Sequence, residues 1–462
     1  MHGIHFLHRA ALLCGAVLGA SSAAGAQTLP QTLAAVYESH PALLAARFQL
    51  QAADEGVSQA LSGWRPTVTI TGGYGFNDTR NRGRAALPDG SNTSFYQDQY
   101  IAPANGALVL SQPIYQGGRT ISSTRRAESQ VLAQRARVLA TEQRVLYDAA
   151  VAYVELLRDV ELLRLNEEYL GVLQQQRAGT RRRFDAGELT RTDALQAESR
   201  LATAQGSLEA ARGALENSRA TFIRAVGAEP GRLTAPQPLR PAAPDLAALR
   251  ATAARENPNV VSAQFDEQAA RDAIDVQFSQ LMPQLNLQAQ TFRNDNGNSR
   301  GGRNTGEAVT ATLSVPLYQG GAEYAAVRQS RETAQQARQL LEDQRRLAMQ
   351  QGTQAWETSR SARAQAETSR RAISALEGAV DGVQREALLG SRTTIEVLNA
   401  EAELLNARVG LLQTVSSIVT ASYAMAVAVG RMTAHDLRLP VRAYDWDEHY
   451  RAARGRLVGL GG

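Results

Sequence analysis

Two stretches of the chain place an acid where it can do chemistry. "GSRTTIEVLNAE" covers residues 390–401, and a looser copy, "GELTRTDALQAE", covers residues 187–198. Thr393 precedes Glu396 by three residues, and Thr190 precedes Asp193 by the same interval. That is the spacing of a capping box, in which the threonine accepts from a backbone amide near the acid while the carboxylate reaches back. A carboxylate in the first turn also suits the helix dipole. Capping alone accounts for both acids, and any second role depends on where the turns sit. Gly187 and Gly390 end the preceding helices, the ordinary place for glycine. Elsewhere reactive residues are few. Beyond residue 26 the histidines are His40, His435 and His449, without metal-ligand spacing, and no phosphate-binding glycine loop or nucleophile motif occurs. The many Asp and Glu residues fall on heptad surfaces, where they are solvated. No catalytic, cofactor-binding or metal residue is expected, and no enzyme.

The two stretches belong to a duplication. "QPIYQGGRT" (residues 112–120) recurs as "VPLYQGGAE" (residues 315–323), with Pro113 and Pro316 separated by 316 − 113 = 203. The same offset links Gly187 to Gly390, Asp193 to Glu396, Leu195 to Leu398 and Gly227 to Gly430. Upstream, His40-Pro41 pairs with Asn257-Pro258, and Phe48 with Phe265, at 258 − 41 = 217. The difference, 217 − 203 = 14 residues, falls in the first copy between about Phe76 and Asn105, a segment whose composition predicts a loop. The copies span residues 27–227 and 245–430, joined by a proline-rich linker at 228–244 and followed by a short tail at 431–462.

Each copy runs helix, strand, strand, long helix, helix. A helical segment from about Gln31 to Ser62 leads to "TVTITGGYGF", where Val68 and Ile70 alternate with threonines, and then to "ALVLSQ". In the second copy Leu285, Leu287 and Ala289 oppose Asn286, Gln288 and Gln290, and Val309, Ala311 and Leu313 oppose Thr310, Thr312 and Ser314. Long helices follow at about Arg119 to Arg181 and Ala322 to Ala387. Val131-Leu132, Val138-Leu139 and Val145-Leu146 recur every seven residues, a coiled-coil period. A helix of that length reaches on the order of 95 Å, so the two shorter helices of a copy, end to end, should stack beside it. The fold class is mainly α with a small β contribution.

Composition narrows the setting. Aromatic residues make up only 5% of the 462, which favours long helices packed through small residues over a thick core. Residues 1–26 read as a cleaved secretory signal: basic Arg9, an apolar stretch from Ala10 to Leu18, then Ala24-Gly25-Ala26. The single cysteine, Cys14, lies inside it and lacks the small preceding residue of a lipidation site, so the mature chain carries no thiol. The formal charge of +4 becomes 4 − 1 = +3 without Arg9, too small and dispersed for a nucleic-acid partner. No later stretch reads as a transmembrane helix, so a membrane role requires the strands. Four strands of about ten residues with one apolar face suit an outer-membrane barrel or a small soluble sheet. Four cannot close a pore, and an open edge cannot sit in lipid. If they span a membrane, several chains share one barrel.

This arrangement, with its paired "PIYQGG" and "PLYQGG" turns and "GSRTTIEVLNAE", resembles the TolC family of outer-membrane export ducts over essentially the whole mature chain. The resemblance implies a homotrimer with a 12-strand barrel in outer-membrane lipid and an α-helical tunnel crossing the periplasm of a Gram-negative bacterium. It also implies a periplasmic adaptor and an inner-membrane transporter as partners, the transporter supplying the energy of a tripartite efflux pump or type I secretion system.

By the same resemblance the hairpin turns are the tunnel tips. Glu396 takes the place of one constriction acid, and Asn399 the place of the other without its charge, so cation preference should be weakened. Thr192 and Asp193 match the lock positions of the first hairpin and Arg392 the cation that reaches them, while the partner Tyr is replaced by Ala387. Arg392 also has the plainer alternative of a solvated turn residue. Gly187, Leu189, Thr190, Gly390, Ser391 and Thr393 are the implied adaptor contacts. The rival is a periplasmic coiled-coil scaffold without a pore.

Overall fold

The computed structural model describes residues 27–88, 90–297 and 299–459. The proposed secretory signal lies outside them. The helical lead-in of each copy breaks at proline. In the first, α1 (Leu29–Ser39) gives way to α2 (Pro41–Leu61), because His40, preceding a proline, is held extended and its ring accepts from the Ala42 amide. Later in the chain, Asn257 does the same between α5 (Leu246–Glu256) and α6 (Pro258–Phe278), accepting from Asn259 N–H at 2.9 Å.

The strands are β1 (Thr67–Tyr74), β2 (Asn77–Ala86), β3 (Asn92–Ile101), β4 (Ala104–Gln116), β5 (Gln284–Asp295) and β6 (Arg303–Ser314). Four of them form one antiparallel sheet in the order β1-β4-β5-β6, with β1 and β6 as open edges. The segment expected as a loop is instead the β2–β3 hairpin, which continues the β1–β4 pair from Tyr74↔Ala104 to Asn77↔Ile101. Its strands are almost wholly exposed on both faces. A strand with no buried side shows no apolar alternation, which is why composition alone reads it as a loop.

Register puts Val68, Ile70, Leu108, Leu110, Leu287, Val309 and Leu313 on one face of the four-stranded sheet, all exposed. Thr67, Thr69, Ser111, Gln288, Gln290, Thr310 and Thr312 line the other.

Each strand pair is followed by a Gly-Gly turn and a helix of 67 residues, α3 (Arg119–Asp185) and α7 (Ala322–Leu388), about 100 Å at the usual rise. Gly117 has φ +62, and a Cβ there would lie 2.4 Å from the Met282 side chain, so the turn requires glycine. Both long helices turn back, into α4 (Arg191–Val226) and α8 (Thr394–Ala428). α2 and α4 pack along α3, and α6 and α8 along α7, so shorter helices do line the long ones. The heptad valines Val131, Val138 and Val145 are buried.

Two expectations need correction. α8 is long and apolar enough, by length and composition, to cross a membrane, with mean hydropathy 1.4 over its best window. Residues 409–430 carry no charge, because this half of the helix packs against both α3 and α7. The C-terminal segment is also more than a tail. Met432 is fully buried in the main core with Tyr153, Phe222 and Leu50, and α9 (Trp446–Gly455), capped by Asp445, packs on α2.

Candidate functional site: the paired hairpin tips

Both long helices stop in the same way. At the first tip Gly187 adopts φ +80, its N–H donates to Phe184 O, and Glu188 N–H donates to Arg183 O at 2.9 Å. At the second, Gly390 has φ +79, with Gly390 N–H on Ala387 O and Ser391 N–H on Glu386 O at 3.0 Å. These reverse bonds satisfy carbonyls that a helix end leaves unpaired, and the left-handed residue is glycine for want of a Cβ.

The next helix starts on the expected cap. Thr190 N–H and Oγ1 both donate to Asp193 Oδ2, at 3.1 and 2.6 Å, and Asp193 N–H returns to Thr190 Oγ1 at 3.2 Å. Thr393 N–H and Oγ1 both donate to Glu396 Oε2 at 2.8 Å. The capping box is formed in both copies.

The tips differ in what else holds the acid. Arg392 Nη1 donates to Glu396 Oε1 at 2.8 Å, and its Nε donates to Glu386 Oε2 at 2.8 Å. The Thr393 amide above all, then Arg392 and the Thr393 hydroxyl, pull the Glu396 carboxyl down from its ordinary 4.5 to about 2. The two carboxylates in turn raise the Arg392 guanidinium. Within the chain the Arg392 hydrogen bonds run to acids of its own hairpin, and among the described residues none joins it to Thr192 or Asp193. Thr192 is exposed.

Asn399 meets a partner that the sequence did not single out. Arg200 Nη2, on α4, donates to Asn399 Oδ1 on α8 at 2.8 Å. Leu398, only 1% exposed, sits with Leu173 of α3 and Ala197 and Ala204 of α4, with Tyr169, Leu170 and Leu201 packed around them. Beside this layer Gln384 Nε2 donates to Glu401 Oε1 at 2.6 Å, and burial pushes the Glu401 carboxyl up. Arg200 escaped notice because arginine recurs throughout the helices. Leu398 carried a signal, an apolar residue one turn inside a polar tip.

Ala387 lines a cleft of about 210 Å³ between the hairpins, with Gly179, Thr180 and Arg183 of α3 opposite it. Leu388 and Leu389, beside Gly390, are 81% and 85% exposed. Leu189 is half-buried, and Gly187, Thr190, Gly390, Ser391 and Thr393 are exposed. Two histidines serve structure: His40 caps α2, and His449 Nδ1 lies 3.0 Å from the buried Asp54 carboxylate, while His435 is exposed.

Two long hairpins rooted on a sheet with one apolar and one polar face define a segment of a channel-tunnel. The chain belongs to the outer membrane efflux protein family, whose model matches residues 33–228 and 249–431. It is 33% identical to the outer membrane efflux protein BepC of Brucella suis biovar 1 (strain 1330) over 98% of this chain and 95% of that one. It is 26% identical to the alkaline protease secretion protein AprF of Pseudomonas aeruginosa over 78% and 77%. The fold matches that of the outer membrane protein VceC of Vibrio cholerae with TM-score 0.74 at 18% identity, covering 87% and 96%.

Proposed function

We propose that three copies of this outer-membrane efflux-family channel form one exit duct, passively conducting cargo from a periplasmic tip to the cell exterior. The sheet carries the reading. Its four strands have two open edges, an exposed apolar face and a polar face. Three such sheets joined edge to edge make twelve strands, satisfy every edge amide, turn the apolar residues to lipid and leave the polar residues to line a lumen. The hairpins, each built on a helix about 100 Å long, then extend into the periplasm.

Such a duct has no energy source of its own, so an inner-membrane transporter supplies it through a periplasmic adaptor seated on the tips. The exposed Leu388 and Leu389, beside the turn residues named above, support an adaptor contact there. The family is one of outer-membrane channels and transporters. Relatives named for efflux and for protease secretion leave both kinds of cargo open.

Purification decides between the duct and a pore-free scaffold. The duct is expected to require detergent, to run as a trimer by native mass measurement, and to give discrete conductance steps in planar bilayers. A chain released into the aqueous fraction without detergent, and silent in bilayers, would sink it. Crosslinking in cells followed by identification of the co-purified transporter distinguishes efflux from secretion.

A further inference from the structure

At the extreme tips each hairpin satisfies its own acid: Asp193 through Thr190, Glu396 through Thr393 and Arg392. Among the described residues, the hydrogen bond that joins α4 to α8 near the tips is Arg200 Nη2 to Asn399 Oδ1, 2.8 Å long. It lies beside the apolar layer that the hairpins share near the tips, Leu398 among Leu173, Ala197 and Ala204. The polar link and the apolar plug thus occupy the same level, and that level is set back from the turns along both helices.

We infer that Arg200 is the cation of the closing link in this chain, holding α4 to α8 through Asn399 where an Arg392–Asp193 pair would otherwise be expected. The inference rests on the duct reading, since a link closes something only if the hairpins line a passage. An amide oxygen facing a guanidinium gives a charge-assisted bond without a second charge to desolvate. Asn399 is exposed and Arg200 only half-buried, so both groups return to water when the link parts. The bond orients the hairpins and opens readily. It also sets a positive charge at the level of Asn399, while Arg392 already offsets Glu396. The constriction therefore combines a neutralised acid with an amide held by a cation, and its cation preference is weak. Arg200 is a positioning residue for the closed tip.

Purified full-length oligomers in planar bilayers test this, with hydrogen exchange followed on the same preparations. Arg200→Ala and Asn399→Ala should each raise the open-to-closed ratio on the order of tenfold, the worth of one charge-assisted bond. The double variant should open no further than the more open single. Asn399→Asp should tighten closure when Arg200 is present and not in the Arg200→Ala background. Arg200→Gln keeps a donor and removes the charge, so it should raise cation preference and give an open-to-closed ratio between those of the unsubstituted chain and Arg200→Ala. Exchange in residues 191–204 and 394–404 should rise together in Arg200→Ala. Additive singles, or an Arg200→Ala channel indistinguishable from the parent in both opening and exchange, overturn the link. A parent chain silent in bilayers, with the exchange coupling intact, overturns the duct reading and leaves the link standing as a hairpin tie.

Discussion

The two hairpin tips share a backbone and differ in how they spend their charges. Both end a helix of 67 residues on a left-handed glycine, and both restart on a Thr-x-x-acid box. At the first tip the acid answers to the cap alone. At the second, Arg392 spans Glu386 and Glu396, so three charges close on one another across the turn, within 396 − 386 = 10 positions. The second tip also exposes Leu388 and Leu389 and sends Leu398 into the first hairpin, whereas its repeat counterpart Leu195 is 55% exposed. Duplication thus copied the turn chemistry and left the contacts free to diverge. The first hairpin presents a socket, and the second supplies the plug.

The sharpest way to break this comparison is to shorten the two equivalent leucines. Leu398→Ala leaves a cavity among Leu173, Ala197 and Ala204 and should cost about 2–5 kcal/mol of local stability. Leu195→Ala, at an exposed position, should cost less than about 0.5 kcal/mol. Hydrogen exchange in the first turns of α4 and α8 reports both. An equal cost at Leu195 would mean that a neighbouring chain covers it, and the asymmetry would belong to the single chain alone.

Much of this architecture was legible because duplication doubled the signal. The 203-residue offset aligned glycines, acids and strands, and the seven-residue valine period marked the long-helix core that Val131, Val138 and Val145 form. The caps were legible for a local reason: a Thr three residues before an acid needs no tertiary context. What stayed hidden depends on context. The β2–β3 hairpin has no buried face and so no alternation. Arg200 is one arginine among many until the fold sets it beside Asn399. Glu386 was not legible as a partner of Arg392 because, six residues before it across the turn, it lies outside the helical spacings by which pairs are usually sought.

A second test adds an aromatic side chain to the cleft beside the second tip. Ala387→Tyr projects a ring into the roughly 210 Å³ cleft facing Gly179, Thr180 and Arg183. Burying it should stabilise hairpin contact by on the order of 1–2 kcal/mol and lower bilayer conductance. A rise in conductance would show that the ring wedges the hairpins apart instead.

A smaller effect is expected at the acids. Glu396→Gln should reduce cation preference more than Asp193→Asn, because Glu396 is the acid at the proposed constriction. Its dependence on pH follows from the depressed carboxyl. A group lowered from 4.5 to about 2 by folding stabilises the cap at pH above its ordinary value, and that contribution fades as pH falls towards 2. Cation preference measured from reversal potentials should accordingly persist through pH 4 and weaken towards pH 2. Loss near pH 4.5 would mean that the Thr393 and Arg392 bonds do not hold in the assembled channel.

The mildest change is Arg392→Ser, and its sign separates two arrangements of the second tip. If Arg392 bound Asp193, its removal would release one hairpin from the other, and conductance would rise with little change in selectivity. Within the chain, its bonds run to Glu386 and Glu396 instead. Removal then uncovers two carboxylates on the same hairpin while the Arg200–Asn399 contact stays in place. Exposed ion pairs contribute little to stability, so the fold should hold and the conductance should change little. Cation preference should rise, and the midpoint at which it is lost should move up towards the ordinary carboxyl range as Glu396 keeps only its Thr393 bonds. A conductance increase matching that of Arg200→Ala would place Arg392 back across the hairpins, most directly by reaching Asp193 of an adjoining copy.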